Sequence, residues 1–168
     1  MRFKAALIQM CSGVDMARNL HDASSMIRDA ASGGAQYVLT PEVTNIFESD
    51  RQRLRAVVAR EEEDASVAGF SNLAQELGIW VHAGSLALRL SEDKLVNRSL
   101  LFAPDGTVAA RYDKIHLFDV DMPSGERIRE SDYFAPGSEA VVAALPWSVP
   151  SLRPCSTKNF LYIASIMF

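Results

Sequence analysis

The chain has 168 residues, 48% hydrophobic and 23% charged, with a formal net charge of −4, which fits one globular domain with a sizeable core and excludes a disordered polypeptide. Its basic residues are scattered singly, so no footprint for nucleic acid or an anionic membrane surface is present. No stretch approaches the roughly twenty apolar residues that span a bilayer, and the opening MRFKAALIQM lacks a signal peptide's length and cleavage site, so a cytoplasmic protein with no nucleic-acid or membrane partner is expected.

Residues 2–10 mix apolar side chains with little alternation and end at Ser12-Gly13, which predicts a short strand buried on both faces. Cys11, at its end, then reads as a small buried hydrophobe. Asp15 is placed to cap a helix in which Leu20, Ala23, Ile27, Ala30 and Ala31 share a face, with Gly33-Gly34 as the stop. QYVLT at 36–40 reads as a second buried strand, so the opening is a β-α-β unit with parallel strands, ended by Pro41-Glu42.

Residues 50–77 are helical in composition, with Phe70, Leu73, Ala74 and Leu77 at helical spacing before Gly78. The EEED run at 61–64 reads as a solvated helix end or connection. IWVHAGSLAL, LVNRSLLFA and TVAARYDK follow as three strands, with PDG at 104–106 as a turn between the last two. Parallel strands followed by such a meander predict an α/β fold with a mixed sheet. Residues 115–137 then lose all periodicity, and a long irregular loop of this kind is more often functional than idle. AVVAALPW offers one more strand.

After Trp147 the character changes. The last 21 residues hold no acid, carry Pro150 and Pro154, and finish in an apolar run. Two regions are expected: a partial domain over 1–147 and a divergent tail over 148–168.

Two side chains, Glu42 and Lys114, stand where strand ends could build a site, and Cys155 is a further candidate. Glu42 directly follows a buried strand, and a partly desolvated carboxylate there can act as a general base; an ordinary capping or salt-bridged glutamate fits the same pattern. Lys114 closes a strand inside YDKIHLFDVD and can stabilise an oxyanion, although taken alone a solvated lysine beside a turn is the simpler reading. Cys155 can be a nucleophile if a base takes its proton. His116 reads as a hydrogen-bonded packing residue. The two cysteines have no C-x-x-C spacing, so neither a disulfide framework nor a zinc cluster is suggested.

Taken in order, LTPE at 39–42, NRSLLFAPDGTVAARYDKIHLFDVD at 97–121 and RESDYFAPG at 129–137 resemble the carbon–nitrogen hydrolase (nitrilase) superfamily, in its amidase branch. The resemblance covers residue 2 to about 147. It implies the N-terminal portion of a four-layer α-β-β-α sandwich, a small-molecule amide as substrate, no cofactor or metal, and homo-oligomers among intact relatives. It assigns Glu42 as general base, Lys114 as the oxyanion-stabilising lysine held in place by its apolar neighbours, and Glu130 as the second glutamate that supports the site. The mechanism implied is attack by a cysteine thiolate and a thioester intermediate.

The tail departs from that pattern. Cys155 and Phe160 stand at about the distances expected of a CYDxRFP motif, but Ser156, Thr157 and Asn159 replace its Tyr, Asp and Arg. Relatives also continue for roughly another hundred residues, so a truncated or frame-shifted member with weak or no activity is the expectation, and an inactive fragment that associates with an intact homologue is the alternative. A metal-dependent phosphodiesterase would require an asparagine after the first strand and a later Asp-His pair, which QMCSG and the remaining sequence lack.

Overall fold

Asp15 begins the first helix as expected: its carboxylate accepts from Arg18 N at 3.0 Å, and Gly33 closes the element after Ser32. A computed structural model describes residues 3–147 and, as backbone, the strand at 160–163. Among these residues the order is β1 (Ala5–Leu7), α1 (Met16–Ser32), β2 (Tyr37–Leu39), α2 (Arg51–Val57), α3 (Ala65–Leu77), β3 (Trp80–Arg89), β4 (Leu95–Phe102), β5 (Val108–Asp113), β6 (Asp119–Asp121), β7 (Arg127–Arg129), β8 (Val141–Ala144) and β9 (Phe160–Ile163). Asp64 caps α3 through Ser66 N and Val67 N, and Gly78 ends it in the left-handed conformation at φ 63°, which glycine adopts without penalty.

Five strands form one mixed sheet in the order β1-β2-β3-β4-β5. β1, β2 and β3 run parallel, and β3, β4 and β5 form the antiparallel meander. Helices α1 and α3 cover one face, where Ala23, Ile27, Phe70 and Leu73 pack on Val38, Val81, Leu100 and Phe102. On the opposite face Tyr37, Leu101 and Tyr112 pack with Ala143 of β8. β8 in turn pairs with β9, so Val141 faces Ile163 and Ala144 faces Phe160 in register.

Several expectations change. β1 is not buried on both faces: Ala6 and Ile8 pack into the helix-covered core, while Leu7 is 73% exposed, because β1 is an edge strand with only one face covered. Cys11 is likewise exposed. The acidic run is structural in part, since Glu61 bonds Arg98 and Arg111 and Asp64 is buried as a cap. The segment at 115–137 holds a short hairpin, β6 against β7, turned at Gly125 with φ 89°.

The sheet also carries a buried polar chain. Tyr37 Oη lies 2.5 Å from His82 Nδ1, His82 Nε2 lies 2.8 Å from Ser99 Oγ, and Ser99 Oγ donates to Ala83 O at 3.1 Å. With Ser99 donating onward, its oxygen accepts from His82 Nε2–H, and Nδ1 accepts from the tyrosine; a neutral imidazole satisfies every link. Burial pushes His82 from 6.5 down to about 4 and Tyr37 upward.

Between those two values the unfolded chain binds a proton that the folded chain refuses, so stability falls as pH drops from 6.5 towards 4. The expected loss from this residue is roughly 3 kcal/mol, complete below the lower value. Urea midpoints measured at pH 7 and pH 4.5, with and without His82→Gln, check this; equal acid sensitivity in both chains would remove His82 as the cause.

Candidate active site

Glu42 is held by a turn clamped onto a bulge in the neighbouring strand. Thr40 N continues the ladder to His82 O at 3.0 Å, and Pro41 then ends it, having no N–H to give. β3 slips register between Ala83 and Leu86, which turns Ser85 towards the loop: Ser85 Oγ accepts from Val43 N at 2.9 Å and Ser85 O from Thr44 N at 2.9 Å. Inside the turn Thr44 Oγ1 donates to Pro41 O at 2.6 Å. Val43 has φ 51°, a strained conformation for a β-branched residue that persists only when its surroundings enforce it. Gly84 makes the clamp possible, since a Cβ there would sit 2.2 Å from Thr40 O and 2.7 Å from Pro41 O.

Lys114 follows β5 directly. Its N–H donates to Asn97 O at 2.9 Å and its carbonyl accepts from Gly137 N at 2.9 Å, so its backbone is gripped from both sides. Gly137 passes so near that a Cβ would lie 2.2 Å from Asp113 O. Glu130 comes from the one-turn 3-10 helix Glu130–Asp132 that follows β7, and its Oε2 also accepts from Phe118 N at 2.6 Å.

These elements bring Glu42, Lys114 and Glu130 together. Lys114 Nζ donates to Glu42 Oε1 at 2.9 Å and to Glu130 Oε2 and Oε1 at 2.9 and 3.2 Å. The side chains of Lys114, Glu130 and Glu42 are 5%, 15% and 26% exposed, so the ammonium is the deepest group and Glu42 the one most open to solvent. Burial alone would discharge Lys114, but the hydrogen bonds and charges of Glu130 and Glu42 outweigh it and hold the ammonium above its ordinary value. The cluster therefore offers a permanent cation beside an accessible carboxylate, a pairing suited to moving a proton and stabilising a developing negative charge.

The carboxylates hold the ammonium by hydrogen bonds, while of the apolar residues beside it Ile115 and Leu117 pack into the neighbouring clusters and Phe118, 42% exposed, contributes through its backbone N–H. His116 is exposed, not a packing residue. Cys155 lies outside the described residues. Asn97 was not singled out by sequence reasoning, yet its Nδ2 donates to Glu42 Oε1 at 2.8 Å; the available signal was a polar side chain in mid-strand among Leu95, Ser99 and Leu101. A cleft of about 570 Å³ lined by Glu61, Ser71, Arg98, Phe102 and Arg111 lies elsewhere, against α3. Among the described residues no helix is long and apolar enough to cross a membrane, and no group of three or more His, Cys, Asp or Glu is arranged to hold a metal ion.

A family model described as carbon–nitrogen hydrolase matches residues 4–159. The chain is 36% identical over 158 residues to deaminated glutathione amidase of Yersinia enterocolitica, covering 92% of this chain and 54% of that protein. It is 34% identical over 166 residues to omega-amidase NIT2 of Homo sapiens, covering 98% and 58%. Among solved structures, the C. elegans NitFhit protein superposes with a TM-score of 0.74 at 25% identity, covering 84% of this chain and 35% of that one. A variant of the Nesterenkonia sp. AN1 amidase matches with a TM-score of 0.69 at 26% identity, covering 85% and 52%; in it the acetamide moiety of fluoroacetamide is added covalently at the active-site cysteine. The chain thus spans somewhat more than half the length of these curated relatives.

Proposed function

The chain belongs to the carbon–nitrogen hydrolase family, and from that premise we propose that it hydrolyses a small carboxamide of the ω-amide type through a cysteine thioester. The observation that carries the proposal is the buried Lys114 ammonium, bonded to Glu42 and Glu130 at 2.9 Å each. A lysine kept charged in this way is unsuited to act as a base or imine-forming amine, and suited to meeting a developing oxyanion.

Glu42, the more exposed carboxylate, takes the thiol proton of Cys155. The thiolate attacks the amide carbon, and the C=O electron pair moves onto oxygen, where Lys114 stabilises it. Collapse breaks the C–N bond, with Glu42 returning its proton so that ammonia leaves neutral. Water, deprotonated by Glu42, then attacks the thioester and releases the carboxylic acid and the thiol. Glu130 takes no proton in this scheme; it anchors Lys114 when Glu42 is protonated and its own hold on the ammonium weakens.

The test is ammonia release by the purified 168-residue chain from a panel of short ω-carboxamides, with Cys155→Ala and Glu42→Gln alongside. Weak release that each substitution brings down to background is expected, as when a nucleophile or its base is removed from a unit that acts together. No release from any amide, with the chain folded, would overturn the proposal for this chain and favour the reading as an inactive fragment that associates with an intact homologue. EDTA-sensitive phosphodiester cleavage would replace it with a metal-dependent one.

A further inference from the structure

Asn97 occupies a position that the scheme above leaves unused. It sits within β4, 2% exposed, on the sheet face away from α1 and α3, since Val96, Leu100 and Phe102 fill the helix-covered core and side chains alternate along a strand. Its Nδ2 donates to Glu42 Oε1 at 2.8 Å and reaches Glu130 Oε1 at 3.4 Å. Its backbone carbonyl accepts from Lys114 N at 2.9 Å. One residue thus contacts all three charged members, two by its side chain and one by its main chain.

The chemistry of the carboxamide suits this place. It offers two N–H donors on a single nitrogen and carries no charge, so it can bridge two anions without competing with Lys114 as a second cation. Its orientation is dictated by the anions, because the flipped amide would set a carbonyl oxygen against both. Asn97 Oδ1 is buried, and among the described residues it has no hydrogen-bond partner. The donors stand at the junction of the two carboxylates, where they bear on the placing of both.

We infer that Asn97 is a positioning residue, whose two N–H groups hold the Glu42 and Glu130 carboxylates at the separation in which both share Lys114. Its catalytic consequence rests on the proposed amide hydrolysis, whereas its geometric role does not. Without the bridge Glu42, already a quarter exposed, is free to rotate towards water and leave the ammonium to Glu130.

The experiment uses the 168-residue chain with its glutamate carboxyl carbons labelled with ¹³C, unvaried and as Asn97→Ser and Asn97→Asp. The resonances of Glu42 and Glu130 are followed through a pH titration, with Lys114 the cation facing both. Ser is too short to bridge, and Asp keeps the shape while losing the NH2 group, leaving no donor when ionised and a single O–H when protonated. The expected result is that both titration curves move in both variants, while kcat for amide hydrolysis falls roughly 10- to 100-fold, the range for losing a hydrogen bond to a charged group, with KM changed by no more than about twofold. Unmoved titration curves in either folded variant overturn the inference, as does a rise in KM with kcat intact. Unfolding of both variants overturns it too, since Asn97 is then a folding residue. If the unvaried chain hydrolyses nothing, the proposed function fails, and the titration still decides the role of Asn97.

Discussion

Lys114→Met is expected to cost about 3 kcal/mol of folding stability and to slow reaction of Cys155, the proposed nucleophile, with a small haloacetamide by about 100- to 1000-fold. Methionine keeps the length and the apolar stem, so lost packing is minor and the effect isolates the charge. What remains is two carboxylates that had shared one ammonium at 2.9 Å, now facing each other across a partly dry site. The stability figure belongs at the low end of the range for breaking buried pairs because Glu42 is 26% exposed and water screens it.

Urea midpoints at pH 7, together with intact-mass kinetics and site mapping to Cys155, make the measurement. A variant with unchanged midpoint and unchanged labelling would show that the ammonium neither supports the fold nor acts on the nucleophile.

Much of the frame on which this site stands is written in local chemistry. Asp15, Gly33 and Gly78 mark helix ends by capping and by a left-handed φ, and PDG marks the turn before β5, so these boundaries are legible from single residues. Glu42, Lys114 and Glu130 are legible only through the order of three motifs; each alone reads as an ordinary surface or capping charge. The sidedness of β1 is not legible, because a three-residue apolar run looks the same whether one face is covered or two. Asn97 is hidden for the opposite reason: its partners lie 55 and 33 residues away along the chain, and nothing local says that a polar side chain in a strand meets two carboxylates. The bulge in β3 is hidden too, since Ala83 and Leu86 both enter the helix-covered core despite a spacing of three, which strict alternation forbids.

That bulge is where the second large effect is expected. Gly84→Ala should lower stability by at least 1–3 kcal/mol, the usual cost of forcing extra atoms into a packed site, and slow thiol labelling by about 100-fold, as a displacement near 1 Å does in a site that depends on placement. The new Cβ meets backbone, not a side chain: Thr40 O at 2.2 Å and Pro41 O at 2.7 Å. Relief therefore requires the 40–44 turn to move, and with it Val43, whose φ of 51° is sustained by its bond to Ser85 Oγ. Glu42 stands between these two residues, so the carboxylate leaves its 2.9 Å contact with Lys114 although no charge has been altered. Gly13→Ala is the control, because nothing lies within 4 Å of a Cβ there, and its effect should stay within about 0.5 kcal/mol. Labelling compared at a temperature where both chains are fully folded separates placement from stability. If Gly84→Ala then labels as fast as Gly13→Ala, the turn holding Glu42 is not set by the bulge, and some other contact must fix the carboxylate beside the ammonium.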